Sequence, residues 1–174
     1  MVDFSELEQF RKDKDDLFSS KPESPLIEEQ KKGFKALNYY PPNSDLIFKN
    51  LPLEPASGGE IVQIKTSAGD SEPYKKLGSI NLEFDGQKGQ LTVFESTDGN
   101  ANIFLSFRDK TNGPETYHEG RYLEVEIENG KIPELDFNYA YNPYCAYNDN
   151  FRCPITPEEN TLPVEIKAGE KRYH

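Results

Sequence analysis

From Leu46 onward the chain is punctuated by tight-turn signals: Ala68-Gly69-Asp70, Asp85-Gly86, Asp98-Gly99-Asn100, Asn112-Gly113 and Asn129-Gly130. Asn, Asp and Gly tolerate the positive φ that short hairpin turns demand, and each signal sits between runs of period-two hydrophobicity. Those runs predict strands at 46–51, 60–66, 77–84, 90–95, 102–107, 121–128, 132–138 and 163–167. No helix of crossover length separates them, so the strands must pair antiparallel. The expected fold class is mainly β: a single antiparallel β-barrel or sandwich of about eight strands. The Asn129-Gly130 hairpin is the clearest, with Tyr122, Val125 and Ile127 on one arm and Ile132, Leu135 and Phe137 on the other.

The texture before Tyr39 is different. Phe4, Leu7, Phe10, Leu17 and Phe18 recur at helical spacing against a face of Arg11, Lys12, Asp13, Asp15 and Asp16, which predicts one N-terminal amphipathic helix. Asp3 with Glu6 reads as its cap, and Val2 with Leu7 as a hydrophobic staple. This helix is read as a lid on the domain. Ser24-Pro25 and Gly33 mark a second short helix. The 174 residues suit one domain, with 1–35 as a helical N-terminal segment and 45–170 as the β-domain.

Eleven Phe and ten Tyr supply large burial per residue, although the hydrophobic fraction is only 34%. A net charge of −11 argues against a nucleic acid partner, whose phosphates require a Lys/Arg face. It argues equally against an anionic membrane surface. No basic, apolar leader opens the sequence and no apolar run approaches a membrane span, so a soluble, cytoplasmic protein is expected. An exported form with its signal removed would look the same.

Two segments carry chemistry. The first, Phe107 to Leu123, joins two predicted strands and holds Arg108, Asp109, Glu115, Tyr117, His118, Glu119 and Arg121. An Arg fork there would read a carboxylate or phosphate, or else an ion-pair network would pin the loop. The second, Asp136 to Asn148, is crowded with Tyr and Asn around Cys145. Such residues build a surface or cleft that hydrogen-bonds selectively, where a plain core would use Val, Ile and Leu.

Cys145 and Cys153 could form a disulfide, but their spacing does not decide it, and reduced, inert thiols are the default in the cytoplasm. A nucleophilic Cys145 would need His118 as its base, because His174 is terminal. Two Cys and one internal His make no zinc spacing. Asp136 and Glu115 are the best carboxylate pair for acid–base work, being flanked by aromatics. There is no phosphate-binding glycine motif, and no cofactor is expected. Asn160 is read as capping a turn before the last strand.

Together these residues are familiar. Phe-Arg-Asp-x-Thr-x-Gly-x-Glu-Thr-Tyr-x-x-Gly-Arg-Tyr-Leu at 107–123 precedes Leu-Asp-Phe-Asn-x-Ala-Tyr-Asn-Pro-x-Cys-Ala-Tyr at 135–147. Cys153-Pro154, Pro157, Asn160, Leu162 and Ala168-Gly169-Glu170 follow. The pattern resembles a prokaryotic family known as a domain of unknown function, number 1684 in that series. Phe10 to Lys14, Ser24 to Leu26 and Phe34 to Pro41 also fit, so the resemblance covers nearly the whole chain. This chain has Ile155-Thr156 where the family is richer in proline. The resemblance implies a shared site at motif residues but no established reaction.

The reading is a non-enzymatic binding domain for a small polar or anionic ligand, held by the 107–123 and 136–154 segments. The candidate ligand-binding residues are Arg108, Asp109, Glu115, Tyr117, Arg121, Asn138, Tyr141, Asn142 and Cys145. One alternative is a structural or interaction module with no small-molecule site. The other is a hydrolase using Cys145 with His118 or a carboxylate pair. Oligomeric state is not legible.

Overall fold

A computed structural model describes all residues from Met1 to His174. It is mainly β, with α1 (Ser5–Ser20) and α2 (Glu28–Gly33) ahead of eight strands. These are β1 (Ile47–Pro52), β2 (Glu54–Pro55), β3 (Ile61–Lys65), β4 (Ser71–Phe84), β5 (Gln87–Ser96), β6 (Ile103–Phe107), β7 (Arg121–Leu123) and β8 (Lys131–Asp136). All ladders are antiparallel. The larger sheet runs β2-β4-β5-β6-β7, with β3 on the same side of β4 as β2, and β1 pairs with β8 in a separate sheet. The strands do not close into the barrel that their spacing had suggested.

The long β4–β5 ladder arises where the sequence signals were strongest. Phe84 pairs with Gln87 across Asp85-Gly86, and both turn residues have positive φ, 48° and 83°. Ile80, Leu82 and Phe84 alternate inward and meet Leu91 and Val93 of β5. The first half of β4 escaped the sequence reading, because Pro73 and a bulge between Lys76 and Gly78 interrupt its alternation.

The Asn129-Gly130 turn forms, yet its expected hairpin does not. Glu128 and Lys131 exchange backbone hydrogen bonds of 2.8 and 3.0 Å, and pairing stops there. Residues 131–136 instead pair with 47–52. The predicted strand 121–128 shrinks to Arg121–Leu123, where Tyr122 exchanges backbone bonds with Tyr141. Phe48 of β1 and Phe137 just beyond β8 then pack edge-to-face against Phe84 and against each other. Burying that aromatic set between the two sheets is what register β1–β8 secures.

The predicted last strand, 163–167, is absent. The segment bends at Pro163 and Val164, and the carbonyls of Ile166, Ala168 and Glu170 accept from the Arg121 guanidinium and not from a neighbouring strand. The positive φ of Gly169 turns the Glu170 carbonyl back toward the same guanidinium, so one fork serves all three. That φ is 75°, and a Cβ on Gly169 would lie 2.7 Å from Ala140 Cβ.

The Asn160 side chain does not cap its turn as expected from sequence. Its Oδ1 accepts from Thr92 N at 2.8 Å, and its Nδ2 donates to the carbonyls of Thr92 (2.9 Å) and Ser106 (3.0 Å). A fully buried side chain thus bridges β5 and β6 where their ladder has ended. Asn160→Ala strands a buried N–H and two carbonyls, and is expected to destabilise by about 2 kcal/mol. Urea unfolding measures it; a loss below about 0.5 kcal/mol would mean that water replaces the amide.

α1 sits across one end of this β-structure. Ser5 N donates to Asp3 Oδ1 at 2.9 Å, so Asp3 does bind the first turn, although Phe4 holds the cap position. α2 begins later than Ser24-Pro25 suggested. Ser24 instead receives Leu26 N and donates to Phe18 O, closing the corner between the helices. No helix is long and apolar enough to cross a membrane.

Candidate functional site

α1 is fastened at its C-terminal half. Arg11 donates to Tyr40 O at 3.2 Å and lies 4.3 Å over the Tyr39 ring. Asp15 Oδ1 accepts from Leu37 N at 2.9 Å. Lys14 pairs with the buried carboxylate of Glu170, which also accepts from the Tyr147 hydroxyl and from Asn142 N. Phe18 completes the anchor by packing edge-to-face on Tyr147 at 4.9 Å. The first turns of α1 have no such polar fastening and hold through Leu7, 2% exposed, and Phe10 against Tyr139. Val2 and Phe10 are 45% and 40% exposed, and they overhang a cleft of about 910 Å³.

The Tyr/Asn tract forms the opposite wall of that cleft, with its residues turned toward it at irregular spacing. Asp136, Tyr139, Tyr141 and Tyr144 line it, while Phe137 lies in the core and Asn138 is buried. Tyr139 meets Phe10 edge-to-face at 5.1 Å, and the Tyr141 hydroxyl donates to Glu124 at 2.6 Å. Tyr122 and Phe151 supply two further rings. The cleft is therefore aromatic on both sides.

Its charge is acidic: Asp3, Glu6, Glu124, Glu134 and Asp136 line it, against Lys14 and Arg152. Both cations are engaged elsewhere. Lys14 holds Glu170, and Arg152 binds Asp70 (2.8 Å) and Glu72. Asp136 Oδ1 accepts from Asn138 N and Nδ2 at 2.9 and 2.8 Å, and Oδ2 has no partner in the protein. Burial raises the Asp136 carboxyl above its ordinary value, opposed by those two hydrogen bonds.

The candidate residues separate into four groups. Arg121, Asp109, Asn138 and Asn142 lie within the protein, each at most 6% exposed. Arg121 Nη2 is 3.5 Å from Asp109 Oδ1. Asp109 Oδ2 accepts from Ile166 N (2.6 Å) and Thr111 Oγ1 (2.8 Å). Asn138 exchanges bonds of 2.8 and 2.9 Å with the Asn43 backbone, and Asn142 donates to Lys171 O at 3.1 Å. These four hold chain segments together and none lines the cleft.

Arg108 and Glu115 lie apart. Arg108 pairs with Glu119 at 2.9 Å, and Glu115 accepts from the Tyr40 hydroxyl at 3.0 Å. An Arg fork oriented by Asp109 and Glu115 does not assemble. Tyr117 and Cys145 meet at 3.5 Å on a second cavity of about 410 Å³. Of the nine candidates only Tyr141 lines the large cleft.

His118 lines the smaller cavity with Cys145, but its Nε2 is directed to Glu119 at 3.5 Å and no hydrogen bond joins it to the thiol. Asp136 and Glu115, the other proposed pair, line different cavities. Sequence reasoning missed Lys14, Glu170 and Tyr147. The Ala168-Gly169-Glu170 motif was a signal for Glu170, but only the fold brings a lysine from α1 onto it.

A family model described as "Protein of unknown function (DUF1684)" matches residues 32–171. Among solved structures, the chain is similar to an uncharacterized protein of Haloarcula marismortui determined by solution NMR, with 33% identity and a TM-score of 0.71. That alignment covers 96% of this chain and 92% of the other. No curated protein matches significantly.

Proposed function

The chain belongs to the DUF1684 family of proteins of unknown function, and we propose, from its own residues, that it is a non-enzymatic binding domain for a small organic cation. The observation that carries this reading is the aromatic cleft under the first turns of α1, with Asp136 Oδ2 open at its wall. Its volume, about 910 Å³, suits a small molecule. Tyrosine and phenylalanine faces attract a cation, and a carboxylate half out of water strengthens that attraction.

An anionic ligand, which the sequence reading had allowed beside a polar one, fits less well. Five acids line the cleft and both of its cations are held by other carboxylates. The 107–123 segment contributes Tyr122 alone, so the site is formed by α1 and the 136–153 stretch more than by two loops. α1 is then a lid over the cleft as well as a cover for the core.

Phenethylammonium, 2-phenylethanol and phenylacetate test the reading, since they share a body and differ in charge. Calorimetry should give the ammonium at least about tenfold tighter than the alcohol, with phenylacetate weakest. Asp136→Asn should remove most of that tenfold advantage and leave alcohol binding unchanged. The sign with pH follows from the raised carboxyl. A cation binds ionised Asp136, so affinity falls as the pH drops through a midpoint above the ordinary aspartate value. Phenylacetate binding tightest would overturn the charge assignment, and no saturable binding by any of the three would overturn the cleft.

A further inference from the structure

The cysteines have no part in that reading, yet the fold sets them side by side. Cys145 N donates to Cys153 Sγ at 3.4 Å, and both thiols are free. Nothing in their sequence separation required this. The segment between them turns back on itself through Tyr147, fixed by Glu170, and through Cys153 N, which donates to Ser67 Oγ at 3.0 Å.

Their surroundings differ. Both line the cavity of about 410 Å³ with Tyr117, His118 and Ser67, but Cys145 is partly exposed and Cys153 only 9% exposed. The Tyr117 hydroxyl lies 3.5 Å from Cys145 Sγ. We infer that Cys145 and Cys153 form a peroxide-reactive dithiol site, in which Cys145 is the attacking thiol and Cys153 the resolving one.

The chemistry balances with hydrogen peroxide as the oxidant. The Cys145 thiolate attacks one peroxide oxygen, the O–O bond breaks, and hydroxide leaves and takes up a proton as water. Cys145 is then a sulfenic acid. The Cys153 thiol loses its proton and attacks the sulfenic sulfur. An S–S bond forms, the S–O bond breaks, and a second water departs. Two thiols have lost two electrons and two protons, and an added dithiol reductant reverses the change.

The roles follow from the donors. The neighbouring Cys153 thiol, with the Tyr117 hydroxyl and Ser67, holds the Cys145 thiol below its ordinary pKa against burial. The same pairing and burial push Cys153 up. The more exposed sulfur is the one that ionises more readily, and the buried one lies beside it. A peroxide small enough for the cavity reaches Cys145 first.

Peptide mapping of the whole, folded protein after hydrogen peroxide tests the assignment. The expected product is a monomer lighter by about 2 Da, its 145 and 153 peptides linked, with the mass restored by dithiothreitol. Before oxidation, iodoacetamide near pH 7 should label Cys145 at least about tenfold faster than Cys153. In Cys153→Ser, dimedone should trap a sulfenic acid on Cys145. Two free thiols surviving peroxide that oxidises the urea-unfolded chain would overturn the proposal, as would Cys153 labelling first. The wild-type measurements stand even where the variant fails to fold.

Discussion

Arg121→Met is expected to destabilise the protein by about 3–5 kcal/mol, the largest loss from any single substitution considered. The side chain is fully buried and its guanidinium is the hub of the C-terminal segment. It donates to the carbonyls of Ile166 (2.9 Å), Ala168 and Glu170 (3.2 Å) and faces Asp109 at 3.5 Å. It also lies 4.9 Å over the Phe107 ring. Methionine fills much of the volume, so the loss is electrostatic. Three carbonyls lose their donor, and a fully buried carboxylate, that of Asp109, loses its countercharge.

Burial lowers the pKa of Arg121, and Asp109 opposes that shift. The pair is therefore costly to bury and costlier to break. Lysine should not rescue it, because one ammonium cannot reach three carbonyls and a carboxylate at once. For a chain of this length the melting temperature should drop by roughly 10–15 °C. Urea unfolding with an unchanged m-value gives the free energy. A loss under about 1 kcal/mol would show that the tail is held by its other backbone bonds.

Glu170→Ala is expected to lose about 3 kcal/mol and to release α1. The carboxylate is 1% exposed and joins Lys14 of α1, the Tyr147 hydroxyl and Asn142 N. Removing it leaves a lysine that is only 14% exposed without its countercharge. Burial, followed by Glu170 itself, raises Tyr147 well above the ordinary tyrosine value, so that hydroxyl stays a donor and loses its acceptor. Hydrogen exchange should quicken along Ser5–Ser20 more than in β4 and β5.

A paired substitution separates charge from packing. Lys14→Met/Glu170→Gln removes both charges and keeps an acceptor for Tyr147, so it should recover most of what either single variant loses. Strict additivity of the two losses would sink the ion-pair account.

These two positions also show what a linear reading lacks. Arg121 and Asp109 were both singled out as parts of a ligand-reading fork, from residue type and loop context. Their chemistry was judged correctly as ionic, but their partners are backbone atoms 45 to 57 positions away. Lys14 and Glu170 are separated by 156 positions. A charge carries no mark of its partner until the chain is folded.

The Asp136–Asn148 tract was legible as unusual because Tyr and Asn at that density serve neither core nor solvent well. Which of them face a cleft was not legible. The run is irregular, with short 3₁₀ turns at Phe137–Tyr139 and Tyr144–Ala146. Neither a two-residue nor a 3.6-residue period assigns its sides. The cysteines were read as inert for the same reason, since eight positions of sequence do not reveal that the Cys145 backbone donates to the Cys153 sulfur.

What the sequence determined by itself is the local level. Asn129-Gly130 and Asp85-Gly86 made turns because their backbones adopt positive φ cheaply, and alternation around them made antiparallel strands. Amphipathic spacing made α1, and aromatic content made a core possible. Tertiary structure decided the pairings that local preference leaves open. β8 joined β1 instead of its hairpin arm, because only that register packs Phe48 against Phe84 and Phe137. The tail went to Arg121 instead of a strand, because a buried guanidinium supplied its carbonyls with donors. The cleft exists because α1 is pinned at Arg11, Lys14 and Asp15 while its first turns overhang. Each is a long-range contact whose energy appears only after distant segments have met, which is why no window of sequence contains it.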